Sequence, residues 1–323
     1  MTVNLLSLLS DGEFHSGDDL GAALGISRAA IWKQVQRIQT EKGIDIHSVK
    51  GKGYRLASPL ELLSAEDIIG RLSVSTKPSI TNVECLGTIG STNDVAMRHA
   101  ESGGEPGYVC VAEQQTAGRG RRGRTWVSPF GRNIYMSIVW DFYKGAAALE
   151  GLSLAVGVVV AEALERQGVS NVELKWPNDV LIGGAKLGGI LLEMTGDPSG
   201  HCQVVIGIGI NIEVPDKDAE SIDQSWIDTR SLGVRIGRNE LVASVLEGLV
   251  GMLPSFSSIG FLCVKDRWSS LDAFKDRDVM VKMGREDVFG VATGVDDTGS
   301  LLLRVGDCTQ VIKGGEVSLR LRS

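Results

Sequence analysis

Between Gly118 and Arg124 the chain reads Gly-Arg-Gly-Arg-Arg-Gly-Arg, three glycines and four arginines in seven residues with no acid among them. No core element can be built from such a run, because buried guanidiniums need partners and the glycines disfavour both helix and strand interiors. The run is therefore a loop, and it needs a large scaffold to carry it. Glycines let a backbone turn closely round a ligand, and guanidinium forks match phosphate oxygens. Free, the loop is expected to be mobile, since its charges repel and it buries almost nothing. No Gly-Lys-Ser/Thr follows it, so a Walker-type NTPase is not supported. An arginine-rich contact with RNA or a membrane surface is the alternative at this point.

A scaffold is available. The 323 residues are 43% apolar, enough for two or three domains with a sizeable core. A net charge of -7 excludes a histone-like basic protein, so any nucleic-acid contact has to come from a local patch. Five widely spaced cysteines (Cys85, Cys110, Cys202, Cys263, Cys308) and four scattered histidines argue against a disulfide framework and a structural zinc site. The start of the chain does not read as a signal peptide. The longest apolar run, Leu152 to Ala161, is bracketed by Glu150 and Glu162 and is too short to span a bilayer. The expected location is the cytoplasm.

A local patch exists before residue 60. Leu5, Leu6, Leu8 and Leu9 make an apolar helix face, and Ser16 with Asp19 reads as a capping box ahead of a short helix, Asp18 to Leu24. Gly25 breaks that helix, and Ser27 caps a second from Arg28 to about Thr40, with Ile31, Val35 and Ile38 on its inner side. Two helices joined by a tight glycine turn are the helix-turn-helix pattern. Ile44 to Val49 and Tyr54 to Leu56, joined by Lys50-Gly51-Lys52-Gly53, form a wing. From Arg28 to Arg55 seven basic residues face two acidic ones, a local +5. A basic helix face with a basic wing suits duplex DNA, and Arg28, Lys33, Gln34, Arg37, Lys50 and Lys52 are the candidate contacts. A protein-binding winged helix is the alternative.

After a linker at Ser58-Pro59-Leu60 and a short helix within Leu62–Arg71, strands and helices mix to about residue 270. Strands are expected at Val83–Leu86, Tyr108–Glu113, Ile134–Trp140, Val172–Trp176, Val180–Ile182, Gly188–Thr195 and Gln203–Ile212, the last two as a hairpin. Helices are expected at Leu149–Gln167, Asn239–Leu253 and Phe261–Trp268. Short strands around glycine turns fill 271–323 and suggest a small β-barrel. The domains are thus expected at 1–60, 61–270 and 271–323.

Four further motifs lie in the large domain. Lys175-Trp176-Pro177-Asn178-Asp179 puts an amide and an acid at a strand end, placed to orient a phosphate or hold a divalent ion, or simply to make a turn. Lys186-Leu187-Gly188-Gly189-Ile190 opens an apolar strand with a lysine that can reach an anion. Gly207-Ile208-Gly209-Ile210-Asn211 sits in an apolar strand without the downstream helix of a dinucleotide fingerprint, and its glycines suggest close approach of something flat. Ser91-Thr92-Asn93-Asp94 follows a Gly87/Gly90 turn and can cap a helix, bind a ligand, or both.

With these residues in view the chain resembles the bacterial bifunctional biotin–protein ligase and biotin-operon repressor family. The resemblance runs from Leu24–Lys33 and Gly51–Tyr54 through the Ala117–Arg124, Lys175–Asp179, Lys186–Ile190 and Gly207–Asn211 motifs to Gly314–Arg320. The arginine run and Lys-Trp-Pro-Asn-Asp, in this order and spacing, are its most specific parts. It implies a winged helix-turn-helix, a mixed-sheet α/β catalytic domain related to class II aminoacyl-tRNA synthetases and lipoate ligases, and an SH3-like C-terminal β-barrel. It implies ATP with Mg2+ and biotin as reactants, biotinyl-5′-AMP as intermediate and corepressor, and biotin carboxyl carrier protein, operator DNA and a second copy of the chain as partners.

Residue by residue, the resemblance places Ser91, Thr92 and Gln115 at the biotin ureido end, with Gly118 and Arg119 lining the same pocket and Gly189 and Gly207 near the bicycle and tail. Arg121 would lie over the carboxyl–phosphate junction and Lys186 would pair with the carboxylate or α-phosphate. Asn178, Asp179 and Asn211 would serve the nucleotide and metal side, and Trp126 and Trp226 would pack over adenine. Ser27 joins the DNA-binding set. The pattern departs from the family at Gly188, where alanine is common, and at Glu213-Val214-Pro215-Asp216, which lacks a basic pair. The dimer would pair large-domain sheets side by side, with one strand of the Gly188–Ile212 hairpin at an unpaired edge. A ligand-sensing transcription factor without catalysis and a lipoate ligase are the competing readings.

Overall fold

The structure is a computed structural model that describes residues 4–283, 286–315 and 317–322. Glu316 of the terminal motif lies outside the described residues.

Local capping chemistry sets the first helices. Asn4 and Ser7 satisfy each other's backbone N–H at the start of α1 (Leu5–Leu9), a reciprocal box the sequence reading passed over. Before α2 (Gly17–Leu24), Ser16 Oγ accepts from the Asp19 N–H at 3.0 Å. It also donates to the Asp19 carboxylate at 2.7 Å, so that carboxylate turns to the serine hydroxyl. Gly25, at φ 67°, closes α2, and Ser27 caps α3 (Arg28–Lys42), which runs on to Gly43 at φ 61°. β1 (Ile46–Val49) and β2 (Gly53–Leu56) pair antiparallel as the wing. Leu5, Leu9, Leu20, Ile31, Val35 and Leu56 form the core of this region, and Phe130, from the large domain, is buried in the same cluster.

Next come α4 (Ala65–Arg71), β3 (Asn82–Ile89), α5 (Thr92–Glu101), β4 (Tyr108–Gln115), β5 (Ile134–Phe142) and α6 (Leu152–Arg166). They lead to β6 (Val172–Lys175), β7 (Asp179–Ile182), β8 (Ala185–Gly196), β9 (Cys202–Ile210), α7 (Asp216–Ala219), α8 (Arg238–Ile259) and α9 (Lys265–Leu271). The seven strands make one sheet in the order β3-β4-β5-β9-β8-β7-β6, parallel only between β3 and β4. α5 covers one face, around Ala96, Ala100, Cys110, Val139 and Val205. α4, α6 and α8 lie in the main core on the other.

Two expectations change here. β8 and β9 do form the hairpin, with Gly188 opposite Ile210 and Gly196 opposite Cys202, but neither is an edge. β9 lies between β5 and β8, and β8 between β9 and β7, while the edges are β3 and β6. β9 is buried along nearly its whole length, with side chains in the clusters on both faces of the sheet. The helix expected to stop at Leu253 instead runs through Pro254 to Ile259. That extension places Phe256 in the core, edge-on to Phe142 at 6.3 Å between centroids. α8, and α6 with the turn before it, are long and apolar enough to cross a bilayer by composition alone, but both lie against the sheet.

The C-terminal region is a five-stranded antiparallel sheet of β10 (Arg277–Met283), β11 (Glu286–Val295), β12 (Leu301–Val305), β13 (Cys308–Ile312) and β14 (Ser318–Leu321), in the order β13-β12-β11-β10-β14. β14 was not foreseen. Val279, Val281, Leu301, Leu303 and Leu319 join the main core, and Trp176 Nε1 donates to the Gly299 carbonyl at 3.0 Å.

Candidate functional site

A cavity of ≈ 310 Å³ opens where β8 and β9, the β3–α5 turn, the arginine run and the start of β14 converge. Ser91, Thr92, Gln115, Arg119, Arg121, Trp126, Asn178, Asp179, Lys186, Gly189, Gly207, Asn211 and Trp226 all line it. Gly118 does not. It lies behind the wall, where a Cβ would come within 2.6 Å of the Trp126 carbonyl oxygen, so its role is close backbone packing.

The floor is a connected polar network. Thr92 donates to Gln115 Oε1 from its N–H (2.8 Å) and its hydroxyl (3.2 Å). Ser137, on β5, reaches Thr92 Oγ1 at 2.8 Å and Asn93 Oδ1 at 2.6 Å. Ser91, Thr92 and Asn93 are almost fully buried. Ser91 takes the N-cap position of α5, but its side chain makes no capping hydrogen bond, so it is not serving the helix. Gly207 must lack a side chain, because a Cβ there would collide with Asn93.

The arginine run is folded back on itself. The Trp126 N–H donates to the Gly118 carbonyl at 2.9 Å, the Gly120 N–H to the Arg124 carbonyl at 2.7 Å, and Arg119 bridges Thr125. At the tip Arg122 and Gly123 take positive φ, 59° and 69°. Like-charge repulsion, the reason to expect mobility, is offset by partners. Arg119 holds Asp94 at 2.5 Å and Glu193 at 3.1 Å. Arg121 donates to Asn178 Oδ1 at 3.1 Å and to the carbonyls of Gly315 and Val317 at the edge of the C-terminal sheet.

Opposite lies an ion triad. Asp179 is 2.5 Å from Lys186 and 3.2 Å from Lys175, one lysine on each carboxylate oxygen. Burial alone would raise the Asp179 carboxyl, but the two ammoniums outweigh it and hold it below its ordinary value. The expectation that Asp179 holds a divalent ion therefore meets a carboxylate already occupied on both sides. Among the described residues no group of His, Cys, Asp and Glu is placed to hold a metal ion. The indole of Trp126 stands over Gly189 and Gly209, not at an outer edge, with Lys186 Nζ 5.5 Å from the ring centroid. Its buried Nε1 has no hydrogen-bond partner among the described residues. Lys186 and Trp226 form a parallel bridge that seats the 221–227 loop, and Asn211 Nδ2 donates to the Ile227 carbonyl at 3.3 Å.

The basic face is separate from this cavity. Ser27 accepts from the Ala30 N–H at 3.2 Å, and Arg28, Lys33, Gln34, Arg37, Lys50 and Lys52 are exposed. Arg28 is 3.6 Å from Asp18 and Arg37 2.9 Å from Glu41. Lys42, counted in the local +5, points the other way, 4.2 Å over the Phe130 ring, and burial lowers its pKa.

Sequence reasoning passed over Glu193, Trp32 and the Val317–Leu319 wall. A lone acid in the apolar run Ile190–Met194 was the available signal for Glu193, and a tryptophan on a helix otherwise polar outside was the one for Trp32, which is 54% exposed. Nothing local announces that residues nearly 200 positions beyond Arg121 close the cavity.

Residues 87–211 match the biotin/lipoate A/B protein ligase family, residues 4–55 an HTH domain and residues 276–320 the biotin protein ligase C-terminal domain. The chain is 43% identical over 320 residues to the bifunctional ligase/repressor BirA of Salmonella typhimurium, covering 98% of this chain and 97% of the relative. It is 42% identical to that of Escherichia coli, with the same coverage. Among solved structures, the biotin protein ligase from Aquifex aeolicus in complex with biotin and ATP superposes with a TM-score of 0.64 at 29% identity, covering 75% of this chain and all of that one.

Proposed function

Because the chain belongs to the family of bifunctional biotin–protein ligases and repressors, we propose that one cavity makes both the reactive biotin adenylate and the signal for repression. The protein is an ATP-dependent biotin–protein ligase with a DNA-binding repressor domain. In the first half-reaction the biotin carboxylate attacks the α-phosphorus of ATP and pyrophosphate leaves. In the second, the ε-amine of a lysine on biotin carboxyl carrier protein, the acetyl-CoA carboxylase subunit, attacks the mixed anhydride and AMP leaves.

The observation that carries the reading is the joining, around one ≈ 310 Å³ cavity, of a neutral hydrogen-bonding floor to a cationic wall. Ser91, Thr92 and Gln115 offer donors and acceptors that suit a ureido ring, and Gly189 and Gly207 line the wall beside the bicycle and tail. Asp179 holds the Lys186 ammonium in place, and Lys175 offsets its second oxygen. Lys186 thus needs little reorganisation to meet the carboxylate or α-phosphate. Arg121 covers the same junction and is steered there by Asn178. Asn211, Trp126 and Trp226 line the nucleotide side. With Asp179 occupied, magnesium enters as part of the ATP substrate and no step here depends on a protein ligand to it.

On the regulatory side, Arg28, Lys33, Gln34, Arg37 and Trp32 face the major groove and Lys50 and Lys52 the flanking backbone. Biotinyl-5′-AMP acts as corepressor by favouring a homodimer in the cytoplasm, which supplies the two half-sites that one winged helix lacks. Incubation with ATP, radiolabelled biotin and a biotin-carrier domain tests the ligase, and competition by lipoate separates the two substrate classes. Transfer of label that excess lipoate does not suppress is the expected result. Sedimentation equilibrium with and without biotinyl-AMP tests the dimer, and an unchanged association constant would remove the switch.

A further inference from the structure

The arginines of the loop do two different jobs. Arg121 leans over the cavity, but the guanidinium of Arg119 points away into two carboxylates. Asp94, in the first turn of α5, meets Nη1 at 2.5 Å. Glu193, on β8, takes Nη2 with both oxygens at 3.1 Å. Glu193 also accepts from Asn93 Nδ2 at 2.6 Å, and Asn93 Oδ1 accepts from Ser137, which in turn reaches Thr92. A continuous chain of polar contacts therefore runs from the cavity floor, through Asn93 and Glu193, to the base of the arginine loop. Neither carboxylate has a packing reason to be where it is. Glu193 interrupts an apolar strand, and Asp94 is about as exposed as Arg119.

We propose that Glu193, assisted by Asp94, is a positioning residue that pins the loop at Arg119 and so couples occupation of the cavity floor to closure of the loop over the adenylate. The two partners constrain Arg119 from two elements, α5 and β8, so the loop base can move only if both ion pairs open. The tip, with Arg121, then pivots on a fixed base. Filling the floor immobilises Thr92 and Asn93 and, through Glu193, stiffens the pin. Such a network gives a coupling free energy between two groups that never touch.

The inference rests on the ligase reading, and its test keeps the two apart. Full-length wild-type, Asp94→Asn, Glu193→Gln and double-variant proteins are compared for pyrophosphate release, for release of labelled biotinyl-AMP in a chase with unlabelled biotin and ATP, and for melting temperature. Glu193→Gln keeps an acceptor for Asn93 and removes the charge that holds Arg119. Adenylate release should quicken about three-fold in each single variant and about ten-fold in the double, as expected for opening partly exposed ion pairs. KM for biotin should rise by a similar factor while KM for ATP and the maximal adenylation rate stay within about two-fold. Raising salt should speed release from the wild type and narrow its gap to the double variant. Release from the double variant at the wild-type rate would overturn the proposal. So would a parallel fall in maximal rate and melting temperature, which marks a structural role. A wild-type protein that releases no pyrophosphate with biotin would instead sink the ligase reading itself. Asp94→Asn, a surface change on α5, remains informative if Glu193→Gln fails to fold.

Discussion

Arg119 and Arg121 in the loop are held by carboxylates, an amide and backbone carbonyls of their own chain, whereas Lys33, Lys50 and Lys52 on the DNA face stand in solvent. Both regions are basic, yet their charges are prepared differently: the loop arginines are held from several elements, whereas Arg28 and Arg37 of the winged helix pair with exposed carboxylates of their own region. A small anion enclosed in a cavity is stabilised by donors already in place, because each donor left to reorganise adds to the barrier. A duplex is a long polyanion whose binding is driven by displaced counterions, which calls for hydrated, mobile cations. The cores divide in a similar way. The C-terminal sheet shares the main core, and its edge touches Arg121, while the winged helix keeps its own cluster, which Phe130 and Leu62 of the large domain join.

The difference is broken most directly at Lys186. Lys186→Met keeps the stem and deletes the charge, and a charged hydrogen bond to a buried anion is worth roughly 1.5–3 kcal/mol, so adenylation should fall about ten- to hundred-fold. Pyrophosphate release reads the effect, and an unchanged melting temperature assigns it to chemistry. Normal release kinetics would mean that the triad with Asp179 and Lys175 is only structural. Next in size is Arg121→Gly. It removes the contacts to Asn178, Gly315 and Val317 together, so biotinyl-AMP should leave about ten-fold faster. The escaped adenylate should label lysines on unrelated proteins in a mixed extract. Retained carrier specificity with an unchanged off-rate would refute a covering role.

What could be read in the sequence follows the same division. The helix-turn-helix was legible because its signals are local: Ser16 and Ser27 before the helices, Gly25 and Gly43 after them, lysines at the wing tip. The motifs round the cavity were legible as lists of residue types, and thirteen of the fourteen residues expected at the ligand site line one space. Which arginine meets which partner was not legible, because Asp94, Asn178, Glu193 and Gly315 reach the loop from four elements distant in sequence. Strand order was hidden for the same reason. The pattern of β8 and β9 shows a hairpin, but only the assembled sheet shows that both are interior. The run past Pro254 shows packing of Phe256 overriding a local stop signal.

On the DNA face the expected effects are smaller. Trp32 is 54% exposed on α3, and an apolar ring on the helix proposed to enter the groove suits thymine methyl groups. Trp32→Ala should weaken binding to a duplex selected from a randomised pool about five-fold and leave binding to unselected duplex unchanged. An equal loss on both would assign Trp32 to the fold of the domain or to general contact, not to discrimination.

The smallest effect, and the one that sharpens the contrast furthest, is expected at Lys52. Its ammonium lies 5.7 Å over the Phe14 ring, beside Arg55 at 4.7 Å from the same ring, at an exposed wing tip. A loosely held cation of this kind contributes through released counterions. Lys52→Ala should therefore weaken binding to every duplex alike, by about two- to three-fold near physiological salt, and reduce the slope of log affinity against log salt by about 0.9. The measurement is anisotropy of a labelled selected duplex and a labelled unselected one across a salt series. Parallel shifts place Lys52 on the backbone and keep the two basic regions distinct. A loss confined to the selected duplex, with the slope unchanged, would mean that Lys52 is fixed in place and reads a base edge. The wing would then be organised in advance, as the arginine loop is, and hydration of the cations would no longer be what separates the two surfaces.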